Sequence, residues 1–267
     1  MRALPHLFLP LLLLPILLSS CNDGTGVFLF SLEDDVALGG EVDAEIESQP
    51  SEFPILDRSS NSAAYAYLEA MKQDILDGGT ITYADEFVWE LHIIDDSVLN
   101  AFCTPGGYIY IYTGLINYLD DASSLAGVLG HEMAHADRRH SSRQMQQQYG
   151  ISTLLSVITG GEPGLLANIA ASLVQLRFSR GDESEADQYS VDYLCPTDFE
   201  ADGASNFFQK IEDSGGTTVP EFLSTHPNPE NRVTAIRDYA NTLSCSMGDA
   251  DPLINGITYD DFKALLP

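Results

Sequence analysis

The segment His131-Glu132-Met133-Ala134-His135 carries two histidines four residues apart, the spacing that places both side chains on one face of a helix. One zinc ion fits between two such imidazoles. Glu132 lies next to the first histidine but is poorly placed to bind the ion, so it can act as general base on a water in the open coordination position. The chemistry that this arrangement indicates is hydrolysis of a peptide bond, with one zinc ion per chain as cofactor.

Apolar residues surround this motif and predict a buried helix over residues 123–140. Leu125, Val128 and Leu129 precede the motif, and Ala136 follows it. Burying two imidazoles and a carboxylate without partners would cost about 1 to 3 kcal/mol for each group. A bound metal therefore explains the pattern better than a chance match on a surface helix.

A catalytic zinc ion needs a third protein ligand, and residues 179–187 offer four carboxylates for that role, on Asp182, Glu183, Glu185 and Asp187. Helical spacing places Glu183 and Asp187 on one face, so one could bind zinc while the other hydrogen-bonds a ligand imidazole. Spacing alone leaves Asp182 and Glu185 open, and it leaves open a merely solvated acidic helix face.

The two motifs together resemble a known family. His-Glu-x-x-His followed by Ser-Arg-x-x-Glu-x-x-Ala-Asp is similar to the gluzincin-type zinc metalloproteases related to HtpX and the CAAX prenyl protease. The resemblance implies that Glu183 is the third zinc ligand and that Asp187 supports a ligand histidine. It covers residues 59–240, and because no long hydrophobic segment follows the N-terminal one, it indicates the soluble periplasmic branch.

A C-terminal motif, Ser224-Thr225-His226-Pro227 followed by Arg232, extends the resemblance. Both His226 and Arg232 are therefore candidate catalytic residues. His226 could donate to the oxyanion, could be a reversible fourth zinc ligand that shuts the site at rest, or could be a loop histidine satisfied by its own hydrogen bonds. Arg232 is either a transition-state partner or a helix-surface charge.

The substrate is expected along an edge strand at residues 108–112, because an extended peptide can add to a sheet edge through backbone hydrogen bonds. The alternation of tyrosine with isoleucine in this strand is equally explained by plain strand amphipathicity. A segment that resembles the family's strand beside the active site supplies the candidate substrate-binding residues, which are Asn100, Ala101, Gly107, Tyr108 and Tyr110.

The N-terminus is typical of a bacterial targeting segment rather than of folded structure. Residues 4–18 are an apolar run after Arg2, and Leu18-Ser19-Ser20-Cys21 resembles a lipobox. We therefore expect a signal peptide over residues 1–20 and a lipid on Cys21 that anchors the mature protein to a membrane, the outer membrane being favoured. The alternative is an ordinary secretory signal with an incidental cysteine.

Residues 21–57 are rich in carboxylates and contain no basic residue, which predicts a solvated acidic tether. An acidic strand or helix of the domain is the competing interpretation. The remainder, residues 58–267, is long enough for one hydrophobic core and is predicted to be a single zinc metalloprotease domain.

Composition limits the partners. The formal net charge of -28, from 12 Lys+Arg against 40 Asp+Glu, disfavours nucleic acid. If Cys21 carries lipid, a disulfide between Cys195 and Cys245 is possible and would leave Cys103 free. None of these cysteines has the spacing of a thiolate zinc site.

These observations predict a helix-rich α+β fold of the zincin-like, minigluzincin kind, with a small sheet. The function they predict is a zinc-dependent endopeptidase of the cell envelope, acting at the periplasmic face on unfolded or misfolded envelope proteins. The alternative is a zinc-containing periplasmic lipoprotein that acts as chaperone or assembly factor without proteolysis. Hydrophobic periodicity predicts strands over residues 87–94 and 108–112, and helices over residues 59–76, 123–140, 143–157, 165–176, 183–193, 201–211 and 229–242.

Overall fold

A computed structural model describes residues 29–161, 163–214, 221–227 and 231–267. It confirms the helix-rich α+β architecture with a small sheet. The strands are β1 (Glu90–Ile94), β2 (Ala101–Cys103) and β3 (Tyr108–Tyr112). The helices are α1 (Leu32–Glu47), α2 (Ser62–Asp77), α3 (Thr113–Tyr118), α4 (Ala122–Asp137), α5 (His140–Tyr149), α6 (Ile151–Ile158), α7 (Pro163–Leu173), α8 (Arg180–Leu194), α9 (Gly203–Asp213), α10 (Glu221–Thr225), α11 (Arg232–Leu243) and α12 (Tyr259–Lys263).

The sheet has the order β1-β3-β2, so β3 is its central strand. It pairs in parallel with β1, where Glu90 lies opposite Tyr108, and antiparallel with β2, where Cys103 lies opposite Ile109. The prediction that residues 108–112 form an edge strand is therefore wrong. All five residues of β3 are buried. Its tyrosines lie on one face and its isoleucines on the other, so both faces are apolar, which is the pattern of a strand buried on both sides.

The two faces of the sheet belong to two hydrophobic clusters. Ile109 and Ile111 pack with residues of α2, α4, α8 and α9. Tyr108, Tyr110 and Tyr112 pack instead with residues of α1, α6 and α7. The sheet therefore separates the helix that carries the two histidines, α4, from the N-terminal helix α1.

Helix α1 contradicts the expectation of a solvated tether for this part of residues 21–57. Its apolar residues Leu38, Val42 and Ile46 recur every four positions and are fully buried against the tyrosine face of the sheet. Ser31 opens the helix with a reciprocal capping box to Asp34. The many carboxylates concealed this periodicity in the sequence. The predicted signal peptide and Cys21 lie outside the described residues.

The helices that follow the histidine motif are more broken than periodicity indicated. Arg139 adopts a left-handed conformation, with φ of 59°, and separates α4 from α5. Gly150, with φ of 79°, divides the predicted helix over residues 143–157 into α5 and α6. Within the described residues, no helix combines the length and the apolar character that crossing a bilayer requires.

The expected disulfide between Cys195 and Cys245 is confirmed, with the two Cα atoms 5.2 Å apart. It ties the end of α8 to the segment after α11. Cys103 is a free and buried cysteine on β2.

Candidate metal centre

Helix α4 supplies the two histidines from a fully buried position. Asp121 caps its first turn by accepting from the backbone N–H of Ser124. His131 and His135 then project from one side of the helix, with their Nε2 atoms 3.0 Å apart. Each is at most 1% exposed. The spacing of the motif thus produces the convergence of imidazoles that the sequence predicted.

Helix α8 resolves which of the four carboxylates faces these imidazoles. Asp182 is occupied at the helix start, where it and Ser179 form a capping box. Glu185 pairs with Arg138, 2.8 Å away, on the partly exposed side. Glu183 alone of the four reaches both motif histidines, with one carboxylate oxygen 3.5 Å from Nε2 of His131 and the other 3.5 Å from Nε2 of His135.

His226 joins the same cluster from the segment after α10. Its Nδ1 lies 3.0 Å from Oε1 of Glu183 and 3.4 Å from Nε2 of His131. One potential ligand atom from each of His131, His135, Glu183 and His226 lies within 4.8 Å of the others. His226 therefore lies among the potential ligands of the cluster rather than on an exposed loop.

Asp187 and Arg232 support the cluster from behind. Oδ1 of Asp187 lies 3.0 Å from Nδ1 of His131, the nitrogen that faces away from the cluster. Arg232 donates to both oxygens of Asp187 at 2.7 Å and lies 3.0 Å from Oε2 of Glu183. Since Arg232 is 1% exposed, it is not a helix-surface charge. Its packing over the ring of Phe208, 3.8 Å from the centroid, completes its enclosure.

Sequence reasoning missed His140. Position i+5 from His135 lies off the ligand face of a straight helix, but the left-handed Arg139 separates α4 from α5 and turns the chain back. Nδ1 of His140 lies 2.9 Å from Nδ1 of His135, and its Nε2 lies 3.3 Å from Glu185. The stacking of Phe178 on the ring of His135, with centroids 3.9 Å apart, had no sequence signal either.

Burial and neighbouring charge shift the pKa values of these groups in opposite directions. Burial alone would lower the pKa of His131, but hydrogen bonds to Asp187 and Glu183 outweigh it and raise that pKa to about 9. Burial holds the pKa of His135 well below its ordinary value. Burial also opposes ionisation of Glu183, yet His226 and the motif histidines hold the pKa of its carboxyl well below the usual range.

Glu132 has a different environment from Glu183. It is fully buried, and Nε2 of His226 lies 3.5 Å from its Oε1. Burial raises the pKa of Glu132, against the opposing influence of His226 and His131. A carboxyl group with a raised pKa beside two imidazoles can both accept and return a proton.

The unsatisfied atoms at the centre of this cluster test whether it suits a metal. Both oxygens of Glu132 and Nε2 of His226 are buried without a hydrogen-bond partner among the described residues, and Oε2 of Glu183 makes ion-pair contacts but no hydrogen bond of acceptable geometry. Such atoms are costly unless something satisfies them. Two imidazoles and a carboxylate are a common donor set for catalytic zinc, so the residues fit that ion, with His226 as a further donor.

The predicted substrate-binding residues are not all near this cluster. Tyr108 packs against α1, and the hydroxyl of Tyr110 donates to Asp43 of α1, so both lie on the opposite side of the sheet from α4. Gly107 lies in a 3₁₀ turn, Pro105–Gly107, against Phe87 and Trp89.

Asn100 and Ala101 are better placed, because they lie at the start of the edge strand β2. The carbonyl of Leu99, just before them, accepts from the N–H of Phe222, whose ring stacks on His226 at 4.1 Å. At the other end of β2, burial and the nearby Glu132 carboxylate raise the pKa of the Cys103 thiol. The edge strand thus lies beside both Glu132 and the His226 segment.

Comparison with known proteins agrees with this geometry. The chain is 29% identical over 165 residues to the mitochondrial metalloendopeptidase OMA1 of Arabidopsis thaliana, a match that covers 61% of this chain and 34% of that protein. It is 31% identical over 170 residues to the beta-barrel assembly-enhancing protease of Yersinia pestis, covering 58% of this chain and 35% of that protein. It is 29% identical over 167 residues to the protein of the same name in Escherichia coli K12, covering 57% and 34%.

The chain spans about a third of the length of these relatives. A family match covers a larger part of the chain, since residues 62–240 fit the family described as peptidase family M48. That range includes the two motif histidines, the carboxylates of α8, His226 and Arg232. The chain therefore belongs to peptidase family M48.

Proposed function

We propose that the protein is a zinc-dependent endopeptidase in which His131, His135 and Glu183 hold the ion. The observation that carries this proposal is the convergence of their donor atoms within 4.8 Å, in a buried cluster that leaves both oxygens of Glu132 without a hydrogen-bond partner. When bound, zinc supplies a Lewis acid that polarises a peptide carbonyl and makes water acidic enough to react near neutral pH.

The surrounding residues have distinct tasks in this proposal. Glu132 accepts a proton from the attacking water and returns it to the leaving amine. Asp187 orients His131 through Nδ1, and Arg232 holds both Asp187 and Glu183 in place. The side chains of the cluster are almost completely buried, so a substrate reaches them only after the segments that cover them move.

For His226 we propose the role of a reversible fourth ligand that shuts the site at rest. Nδ1 of His226 lies 3.0 Å from Glu183 and 3.4 Å from His131, whereas Nε2 of His131 lies 3.5 Å from Glu183. His226 thus lies as close to the other donor atoms as a motif histidine does, which favours a zinc ligand over an oxyanion donor. Substituting His226 by alanine would then raise peptide cleavage by the purified protein. A loss of cleavage in that variant, with metal content unchanged, would instead support the oxyanion role.

The substrates proposed are polypeptides, bound in extended form along the edge strand β2 rather than along β3. β2 has one edge paired with β3 and lies beside Glu132, so an added strand would cross the metal centre. The names of the Yersinia and Escherichia relatives, which refer to β-barrel assembly, favour unfolded or misfolded envelope proteins as the physiological class.

We also propose that the protein acts at the periplasmic face of a bacterial envelope, held there by lipid on Cys21. This proposal depends on the apolar segment and the lipobox-like tetrad alone. Mass spectrometry of the mature N-terminus tests it, because an unmodified residue there would remove the anchor. We propose the soluble branch of the HtpX and CAAX prenyl protease relatives on other grounds. These are the His-Glu-x-x-His and Ser-Arg-x-x-Glu-x-x-Ala-Asp motifs, with no long hydrophobic segment after the N-terminal one.

The test of the function is Glu132→Gln, which keeps the shape of the side chain and removes the base. We expect zinc content to stay at the wild-type level while casein cleavage falls by roughly 10²- to 10⁴-fold. Chelation of the wild type should abolish the same cleavage. Cleavage that persists in both would contradict the proposal, and absence of cleavage in the zinc-loaded wild type would favour the alternative of a chaperone or assembly factor.

A further inference from the structure

A second group of ligand-type side chains lies on the opposite side of the sheet from α4. Glu90 and His92 stand two residues apart on β1, on the same face of the strand, and Asp43 approaches them from α1. Nε2 of His92 lies 2.8 Å from Oδ1 of Asp43 and 4.0 Å from Oε1 of Glu90. The three potential ligand atoms lie within 4.8 Å of one another.

The imidazole of His92 is buried and incompletely satisfied. The residue is 3% exposed, and although a carboxylate oxygen is close, Nε2 makes no hydrogen bond of acceptable geometry among the described residues. Its ring is fixed by stacking on Tyr110, with centroids 4.8 Å apart, and Tyr110 stacks in turn on Phe102 at 4.5 Å. A buried nitrogen that is held rigidly beside two carboxylates and makes no hydrogen bond of its own is the arrangement of a metal ligand.

The charges around this nitrogen favour a cation. Asp43 and Glu90 bring two carboxylates to one point, and Glu47 lines the cavity beside them. Arg58 lines the same cavity but is already engaged, since it donates to Glu69 at 2.9 Å and to the carbonyl of Leu91 at 2.6 Å. A divalent ion would neutralise the repulsion that the pair of carboxylates creates.

The site is open to solvent and one of its ligands is already braced. A cavity of about 420 Å³ reaches His92 and Glu90 from the surface, which gives an ion a path to them. The side chain of Glu90 is 38% exposed and can adjust, whereas Asp43 is 13% exposed and receives a hydrogen bond from the hydroxyl of Tyr110. Such a bond orients a ligating carboxylate.

We propose that Asp43, Glu90 and His92 form a second metal site, which binds a divalent transition-metal ion and ties α1 to the sheet. One imidazole with two carboxylates suits zinc or a similar ion better than calcium or magnesium, which prefer oxygen ligands alone. The site lies across the sheet from the cluster of His131, His135, Glu183 and His226, called here the HExxH cluster. Its role is therefore to hold α1 in place.

The test compares zinc content between variants of the full chain. Each protein is stripped with a chelator, reloaded with excess zinc and desalted, and zinc is counted per chain by elemental analysis. We expect His92→Phe to hold one ion fewer than the wild type, because phenylalanine can still stack on Tyr110 but has no nitrogen donor. Glu47→Gln is the matched control, since Glu47 lines the same cavity outside the ligand set, and its zinc count should not change.

Equal zinc content in His92→Phe and the wild type would overturn the proposal. So would an equal loss in Glu47→Gln, because that would indicate loose adsorption by an acidic cavity. If His92→Phe does not fold, Glu90→Gln changes a half-exposed side chain and should lose the same ion. All these variants keep His131 and His135, so the comparison does not depend on whether the first centre binds zinc.

Discussion

The two clusters of histidine and carboxylate side chains differ in how firmly the protein itself holds them. In the HExxH cluster each proposed ligand has a second contact behind it: Asp187 for His131, His140 for His135 and Arg232 for Glu183. In the cluster on α1 and β1, the described residues provide one such hydrogen bond, from Tyr110 to Asp43.

This difference has a physical consequence. A ligand whose other polar atoms are hydrogen-bonded is already oriented before the ion arrives, and loss of such support typically weakens metal affinity 10- to 100-fold. The buried, braced cluster should therefore bind its ion tightly and in one geometry. The cluster on α1 and β1, in which Glu90 is 38% exposed and fewer hydrogen bonds orient the ligands, should bind more weakly and release its ion more readily, which suits a structural site and does not suit catalysis.

The largest expected effect is a difference in zinc affinity between variants of two glutamates of α8, Glu183 and Glu185. Glu183→Gln should lower zinc affinity of the HExxH cluster by more than about 100-fold and abolish cleavage, because it removes a charged ligand from a fully buried site. Glu185→Gln is the control: it pairs with Arg138 on the partly exposed side and should lower affinity about tenfold or less. Zinc titration in competition with a chromophoric chelator measures both. Similar losses of zinc affinity in the two variants would contradict the assignment of Glu183, rather than Glu185, as the zinc ligand from α8.

The next effect tests whether α1 is needed by one cluster and not by the other. A Cβ added at Gly39 would lie 2.0 Å from the carbonyl oxygen of Pro105, whereas one added at Gly40 would lie 3.2 Å from the hydroxyl of Tyr108. Gly39→Ala should therefore destabilise the seating of α1 by about 1 to 3 kcal/mol or more through overpacking. Gly40→Ala removes a glycine from a helix interior and should cost little or stabilise by up to about 1 kcal/mol.

The measurements for this pair are urea unfolding and zinc content. We expect Gly39→Ala to lose zinc from the cluster on α1 and β1 while the HExxH cluster keeps its ion. If the two alanine variants unfold at the same urea concentration, the close approach of α1 to Pro105 is not important for stability.

Graded chelation sharpens the same comparison in the unmodified protein. The cluster on α1 and β1 should lose zinc at a chelator concentration at least about tenfold lower than the HExxH cluster, since fewer hydrogen bonds orient its ligands. Cleavage should persist after the first ion leaves and stop when the second leaves. Loss of cleavage together with the first ion would mean that the order of affinities is the reverse.

The same contrast explains what the sequence could predict. The helical period of 3.6 brings His131 and His135 to one face, so the sequence predicts this pair from spacing, whereas Glu183 is predicted as third ligand only through the family resemblance. Asp182 and Glu185 were excluded only by their partners, a capping serine and Arg138. The Ser179–Asp182 cap is local to α8, whereas the pairing of Glu185 with Arg138 depends on how α4 and α8 pack, which spacing within one helix does not contain.

Other features were outside the reach of local patterns. Asp43 and His92 are far apart in the chain and meet because α1 packs on the sheet. The acidic composition of α1 had indicated a solvated tether instead of a packed helix. The order β1-β3-β2 follows from pairing between strands, and a buried central strand looks like an amphipathic edge when tyrosines alternate with isoleucines. His140 lies beside His135 because Arg139 adopts a left-handed conformation, and local patterns in the sequence did not indicate that one backbone conformation.

The smallest expected effect concerns the caps of the two helices that supply carboxylates to the two clusters. Both α1 and α8 begin with a serine whose hydroxyl accepts from the backbone N–H three residues on, at 3.1 Å in each case. Ser31→Ala and Ser179→Ala should each lower the free energy of unfolding by about 1 kcal/mol. Asparagine is as good a cap as serine, so Ser31→Asn and Ser179→Asn are the matched controls and should restore most of that loss.

The two caps should differ in which metal they affect. Ser31 caps α1, which supplies Asp43 and none of the ligands of the HExxH cluster, so Ser31→Ala should weaken zinc binding only at the cluster on α1 and β1. Ser179 precedes Glu183 by one turn, so Ser179→Ala should act on the HExxH cluster, and less strongly, because Arg232 and His226 also hold that glutamate. Zinc titration of the two alanine variants checks this. Equal changes at both clusters would mean that α1 and α8 are energetically coupled through the sheet, and that the two clusters are not independent.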